Sequence, residues 1–225
     1  MSSQPLIPPP SVHRWDVSLA EAEAIQHQLA ARVVQAPLTT PVRLVAGIDM
    51  SATGVARAAV VVIQVPELVT VEIARAEAPL DFPYVPGYLS FREAPAVLAA
   101  FAKLQHTPDL LMFDGQGIAH PRRIGIAAHL GVLLDRPSIG CAKSLFVGQP
   151  VGELGPDPGA WVPLQHRGEV IGALVRTKKN VKPMYISVGH KIDLAGAIEW
   201  VLACTAGYRL PEPTRRAHNA AAVAE

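Results

Sequence analysis

Apolar and polar positions along this chain change period several times, and each change marks an element. From Ser18 the apolar residues Ala22, Ile25, Leu29 and Val33 recur at helical spacing, and Ser18 with Glu21 supplies a capping box, so a helix is predicted there. The stretch "APLTTPV" stops it. Three β-rich runs follow, residues 43–51, 56–65 and 68–77, joined by connections short enough to favour antiparallel hairpins. A loop, "APLDFPYVPGYLSF", leads into a helical stretch with Val97, Leu98, Phe101 and Leu104 on one side. "DLLMFDG" reads as a buried strand, "RRIGIAAHLGVLLD" as a helix and "PSIGCAK" as another short strand. Beyond them come a hairpin-like region around "EVIGALVRT" and "PMYISVG", a helix capped by Asp193 and closed near Gly207, and a final helix after "PEPT".

The order β-β-β-α-β-α-β has a topological consequence. A three-stranded meander followed by two right-handed crossovers gives a mixed sheet of order 3-2-1-4-5, with the first and fourth strands parallel neighbours. The fold class expected is therefore α/β: a mixed five-stranded core sheet flanked by helices, with extra C-terminal strands and helices. Open α/β sheets place ligands beside the carboxyl ends of strands where the chain reverses its march. Asp49 ends the first strand and Asp114 the fourth, so their carboxylates are expected to face each other across one crevice.

Composition narrows the class without naming a function. At 225 residues and 50% hydrophobic content the chain can bury one core, and a single domain spanning 1–225 is expected, with 1–16 ("MSSQPLIPPPSVHRWD") a loose leading segment. Lys and Arg total 20 against 19 Asp and Glu, a balance without the basic excess that marks many nucleic-acid binders, although a local basic face would suffice. Cys141 and Cys204 lie too far apart in sequence to suggest a paired metal spacing, which fits a reducing cytosol. With neither a signal-peptide pattern nor a membrane-length apolar run, a cytoplasmic protein without a membrane partner is expected, monomeric by default.

Two carboxylates brought close repel, and each raises the other's pKa unless a cation lies between them. Oxygen ligands without thiolate point to Mg²⁺, with Mn²⁺ able to substitute, and such sites commonly clamp a phosphodiester. Either aspartate alone reads more simply as a turn residue; the pairing at adjacent strand ends favours the metal reading. Glu93 in "SFREAP" stands between two readings. It completes a capping box with Ser90, or, if the helix begins near Pro95, it lies outside the helix and is free to face a metal.

The motifs "VAGIDMS", "PYVPGYLSFRE", "FDGQGIAHPRRIGIAAHLGV", "IGCAKS", "VGHKID" and "RLPEPTRRAH" together resemble those of the endonuclease V family, the deoxyinosine 3′-endonucleases, from about Ser18 to His218. The resemblance implies an RNase H-like core and Mg²⁺-dependent hydrolysis of the second phosphodiester bond 3′ to hypoxanthine in DNA, leaving 3′-hydroxyl and 5′-phosphate ends. It implies that Asp49, Asp114 and Glu93 are the metal and catalytic carboxylates, that His218 lies by the metal and that Lys143 lies near the scissile phosphate.

The remaining motifs suit that chemistry. Pro83, Tyr84, Val85 and Pro86 put an aromatic on a stiff backbone, as a wedge that unstacks a base requires, although Tyr84 packed on the core is the plainer alternative. An extruded base needs a tight pocket, for which Gly87, Leu89, Gly115, Gly117, Gly125, Ile126 and Gly140 offer backbone amides and small surfaces. His120 and Arg122 are phosphate-contact candidates, with structural hydrogen bonding the alternative for His120. Arg123, Lys178, Lys179, Lys182, Arg215 and Arg216 extend the basic set. His129 is expected as a satisfied core histidine, His190 as a turn residue, His13, His27, His106 and His166 as surface or loop residues, and Thr214 as the N-cap of the helix presenting His218. Two other functions stay in view: cleavage of inosine-containing RNA, and non-catalytic binding of damaged nucleic acid.

Overall fold

The computed structural model describes residues 13–53 and 55–222. Its elements run α1 (Leu19–Ala30), β1 (Leu44–Thr53), β2 (Val55–Gln64), β3 (Val69–Ala78), α2 (Leu89–Phe101), β4 (Leu110–Phe113), α3 (Ile126–Leu134), β5 (Ser138–Ala142), β6 (Gln149–Pro150), β7 (Trp161–His166), β8 (Glu169–Val175), β9 (Met184–His190), α4 (Leu194–Ala203) and α5 (Glu212–Ala221). Among the described residues the strands form one nine-stranded sheet, ordered β3-β2-β1-β4-β5-β9-β8-β7-β6. The expected 3-2-1-4-5 core is present, with β1–β4 and β4–β5 parallel and β1–β2 and β2–β3 antiparallel. The C-terminal strands continue the same sheet from the β5 edge through an antiparallel β9.

Where β2 and β4 run through the middle of the sheet they are apolar on both faces: Val60, Val61, Val62 and Ile63 are buried together, as are Leu110, Leu111, Met112 and Phe113. This is the signature of strands covered on two sides. Helix α1 starts at the Ser18–Glu21 capping box, both reciprocal bonds being made, and ends at Ala30. Val33 therefore lies past the helix, yet still packs against the core.

Several boundaries differ from the sequence pattern. Helix α2 begins at Leu89, with Tyr88 as its N-cap and Pro95 inside. Both local readings of Glu93 fail, because it sits within the helix and Ser90 caps nothing. Burial of Phe91, Ala94, Ala96, Val97, Ala100 and Phe101 offsets the backbone hydrogen bond that Pro95 cannot donate. Helix α3 starts at Ile126, leaving Arg122 and Arg123 in the preceding loop. The N-cap of α5 is Pro211, and Thr214 lies inside the helix, its hydroxyl donating to the Pro211 carbonyl at 3.2 Å. Strands β6 and β7 were hidden by Pro150 and Pro163, residues that argue against a strand interior but are tolerated near a sheet edge.

Two histidines also correct expectation. His190 closes β9 and is buried, its Nδ1 accepting from the Val34 amide at 3.1 Å. His13 is half-buried rather than on the surface, and its Nε2 lies 2.8 Å from the His129 Nε2. His129 is the satisfied core histidine foreseen, its Nδ1 meeting the Ser90 hydroxyl at 2.8 Å. The expected loose segment falls mainly on residues 1–12, outside the described residues; Trp15 stacks on His129 with ring centroids 5.4 Å apart.

One close approach positions the site. Helix α5 crosses β1 and β2, and a Cβ on Gly47 would lie 1.9 Å from the Pro213 carbonyl oxygen. Gly47 and Asp49 lie two apart on β1 and so share a face. The missing side chain at Gly47 lets α5 lie flat beside Asp49. Gly47→Ala is expected to destabilise the protein by about 1–3 kcal/mol through overpacking, read as a lower urea midpoint at unchanged m-value.

Candidate active site

Strands β1 and β4 stay in parallel register up to the pair Ile48–Phe113. The next residue on each chain is an aspartate, and the Asp114 amide donates to the Ile48 carbonyl at 2.9 Å; Asp114 follows the end of β4, but Asp49 does not end β1 as expected, because β1 runs on to Thr53 in its pairing with β2. Asp49, Asp114 and His218 bring one ligand atom each within 4.8 Å of one another. His218, on the α5 turn facing β1, meets the Asp49 Oδ2 through Nδ1 at 2.6 Å, while the other Asp49 oxygen accepts the Met50 amide at 2.8 Å. Lys143, just past β5, forms an ion pair with Asp114 and lies 3.5 Å from the His218 Nδ1. Four groups from four separate elements thus alternate around one centre.

The electrostatics show what that centre lacks. Burial and then the neighbouring Asp49 raise the Asp114 pKa, against the pull of Lys143. Glu93 of α2 is pushed up to about 8, first by burial and then by the charges of Asp49 and Asp114. Its carboxyl does not join the three-residue group. Carboxylates crowded in this way, with an imidazole and no thiolate at hand, form a donor set that suits a hard divalent cation. Cys141, buried with its thiol pushed well up, is not part of the set.

Beside the carboxylates opens a pocket of about 370 Å³. Of the residues expected to form a base pocket, Gly87, Leu89, Gly115, Gly125 and Ile126 line it. Gly117 and Gly140 do not; they serve packing instead. A Cβ on Gly117 would lie 2.0 Å from the Val188 carbonyl oxygen, and one on Gly140 would lie 2.3 Å from the Gly117 nitrogen. The glycine-rich turn after Asp114 is thus pressed between β5 and β9 by backbone contact, and only its outer rim faces the pocket.

Tyr84, Val85 and Pro86 also line the pocket, whereas Pro83 does not. Tyr84 is 71% exposed, which removes the alternative that it packs on the core. Other lining residues were not singled out from the sequence, among them Gln26, Gln116, Ser144, Leu145 and Phe146. Leu145 and Phe146 are exposed apolar residues at the rim. Gln116 donates through Nε2 to the Ser144 carbonyl at 3.1 Å, and its buried Oε1 has no hydrogen-bond partner among the described residues.

The phosphate-contact candidates are engaged elsewhere. His120 is buried, and its Nε2 donates to the Gly87 carbonyl at 3.0 Å. Arg122 donates to Gln26 at 2.5 Å and to Gly87 at 2.9 Å. Arg123 pairs with Glu169 at 2.8 Å, and Arg215 and Arg216 both pair with the buried Glu212. Of the basic residues, Lys178, Lys179 and Lys182 remain exposed, Lys179 at 3.3 Å from Asp157.

Comparison with known proteins agrees with this geometry. Residues 27–219 match the family model described as Endonuclease V. The chain is 54% identical to an Endonuclease V of Roseiflexus castenholzii, covering 93% of this chain and 94% of that one. The crystal structure of Endonuclease V from Streptomyces avermitilis superposes with a TM-score of 0.87 at 41% identity, covering 96% of this chain and 94% of that one. That of Ciona intestinalis Endonuclease V, in complex with a 24mer DNA containing an inosine followed by a ribo-adenosine, superposes at 0.77 with 28% identity, covering 90% of this chain and 95% of that one. With its sheet order, its paired aspartates at the β1–β4 switch and this match over nearly its whole length, the chain belongs to the endonuclease V family.

Proposed function

We propose that this protein is a DNA repair endonuclease that recognises deaminated bases, chiefly hypoxanthine in deoxyinosine. It hydrolyses the second phosphodiester bond 3′ to the lesion, leaving 3′-hydroxyl and 5′-phosphate ends, and works as a cytoplasmic monomer of one domain. One observation carries the reading: the carboxylate centre and the pocket share a wall, since Asp114 and Lys143 belong to both. A base held in the pocket therefore leaves its strand lying over Asp49, Asp114 and His218. No helix among the described residues is long and apolar enough to cross a membrane.

The residues divide the work. Asp49, Asp114 and His218 would hold Mg²⁺, with Mn²⁺ able to substitute, and Glu93 stands behind them as a further carboxylate. When bound, the cation supplies Lewis-acid stabilisation of phosphoryl charge and a water of lowered pKa. Lys143, which pairs with Asp114 and lines the pocket, would pair with a phosphate oxygen next to the inserted base. Tyr84, exposed on a loop bracketed by Pro83 and Pro86, fills the gap that the departing base leaves. Within the pocket the orphan Gln116 oxygen and the backbone of Gly87, Gly115 and Gly125 read the base edge.

Mapping the cut on a duplex bearing one hypoxanthine, by denaturing gel with and without Mg²⁺, tests the reading directly. A single Mg²⁺-dependent nick at the second bond 3′ to the lesion is expected. Binding without a nick would leave only a damage-binding protein. The ribo-adenosine beside the inosine in the Ciona complex favours a second reading, inosine in RNA. Matched inosine RNA and DNA strands, compared by kcat/KM, decide which is the substrate.

Asp49→Asn and Asp114→Asn are each expected to slow nicking by about 10³-fold or more, several kcal/mol of lost charge stabilisation, with lesion binding retained in anisotropy titrations. Full activity in either variant would remove the metal assignment. Tyr84→Ala is expected to lower the preference for lesion over undamaged duplex by about tenfold, the worth of one aromatic stacking contact, and to slow single-turnover cleavage less than it lowers selectivity.

A further inference from the structure

Gln26 of α1 is a polar side chain buried to 1% exposure, far in sequence from every motif above. Its Nε2 donates to the Gly87 carbonyl at 2.8 Å. The same oxygen accepts from the His120 Nε2 at 3.0 Å and from the Arg122 Nη2 at 2.9 Å. A carbonyl oxygen has two lone pairs, so three donors on one oxygen, one of them a guanidinium, form a dense and directional clamp. The donors also brace one another. Arg122 donates through Nε to the Gln26 Oε1 at 2.5 Å, and its guanidinium carbon lies 4.3 Å from the centre of the Tyr88 ring.

The protonation of His120 follows from its partners. A carbonyl cannot donate, so Nε2 carries the hydrogen; the Arg122 amide donates to Nδ1 at 3.1 Å, so Nδ1 carries none. The ring is neutral, in keeping with a pKa lowered to about 4 by burial. A neutral, buried imidazole is a poor phosphate ligand and a good fixed donor.

Gly87 is fitted to this clamp twice over. Its φ of +87° lies in the left-handed region, and a Cβ there would lie 3.1 Å from the Arg122 Nη2. Upstream, the Tyr88 amide donates to the Val85 carbonyl at 3.0 Å and closes the turn that carries Tyr84, Val85 and Pro86 along the pocket. Tyr88 is the N-cap of α2, the helix that bears Glu93. The peptide plane after Gly87 thus joins the exposed Tyr84 loop to the buried helix.

We propose that Gln26, His120 and Arg122 are positioning residues whose shared grip on the Gly87 carbonyl fixes the Tyr84–Gly87 loop as a rigid pocket wall, so that they set lesion recognition through the wall they hold. The inference rests on the endonuclease reading for its kinetic consequence, but not for its structural one.

Hydrogen exchange on the free protein, followed at the amides of Val85, Gly87 and Tyr88, reads the clamp without any substrate. Gln26→Met and His120→Leu each remove one donor and are expected to speed that exchange. His120→Gln places an amide nitrogen near the lost Nε2 and is expected to restore protection. With an inosine-containing strand, Gln26→Met and His120→Leu should raise KM about tenfold, the cost of one buried hydrogen bond, with kcat within about twofold. His120→Gln should recover most of that loss. Unchanged exchange in both donor-removing variants, or a fall in kcat at constant KM, would overturn the proposal. If Gln26→Met folds poorly, the His120 pair carries the same comparison. A wild-type protein that leaves inosine strands intact would sink the endonuclease reading instead, while the exchange result would still decide the clamp.

Discussion

Two negative charges on adjacent parallel strands, at the place where their pairing stops, are costly to bring together, and much of this molecule is arranged around that cost. The β1–β4 register leaves Asp49 and Asp114 one residue beyond the last paired positions, so their proximity is a property of the sheet rather than of a flexible loop. Each has a compensating neighbour from another element, His218 of α5 for Asp49 and Lys143 after β5 for Asp114. Gly47 makes the first pairing possible by letting α5 lie against β1. The second follows from β5 running parallel beside β4. Burial first, and then repulsion from Asp49, still raises the pKa of Asp114 and Glu93, and an entering cation would relieve the repulsive part.

Rigidity has a different source on the recognition side. Sheet hydrogen bonds do not reach the loop from Asp81 to Gly87, and no backbone ladder defines the pocket wall. Side-chain donors do that work, converging from α1 and from the turn before α3. The glycine-rich turn after Asp114 is held in a third way, by backbone packed directly on backbone at Gly117 and Gly140. Each device suits its place. The carboxylates are fixed by the sheet, whereas the pocket wall is held by side chains and still presents the exposed Tyr84.

What could be read from the sequence divides along the same line. Strand order and the meeting of Asp49 with Asp114 were legible because they follow from period-2 patterning and from chain-topology rules, which are local and general. Glu93 was misread because Pro95 argues for a helix start, and only the burial of Phe91, Val97 and Phe101 lets α2 run through it. The structural bonding of His120 was one of its two readings, but the fate of Arg122 was not legible. Its motif advertises cations near DNA, yet its partner Gln26 lies 96 residues away and belongs to no recognisable motif. The failures of pattern at Pro150 and Pro163 have a simpler cause, since the edge strand β6 and its neighbour β7 tolerate what central strands reject.

The two halves are coupled through α2. Its first turn, from Tyr88, is anchored by the clamped Gly87 carbonyl, and its second carries Glu93 toward the aspartates. Tyr88 and Glu93 thus lie on one short element, the first next to the clamped loop and the second near the aspartates. Pro95, just beyond Glu93, removes one backbone donor, and the burial of Phe91, Val97 and Phe101 keeps the helix whole across it. The proline that obscures the helix in the sequence is carried by that packing, and the helix still joins the pocket loop to the carboxylates.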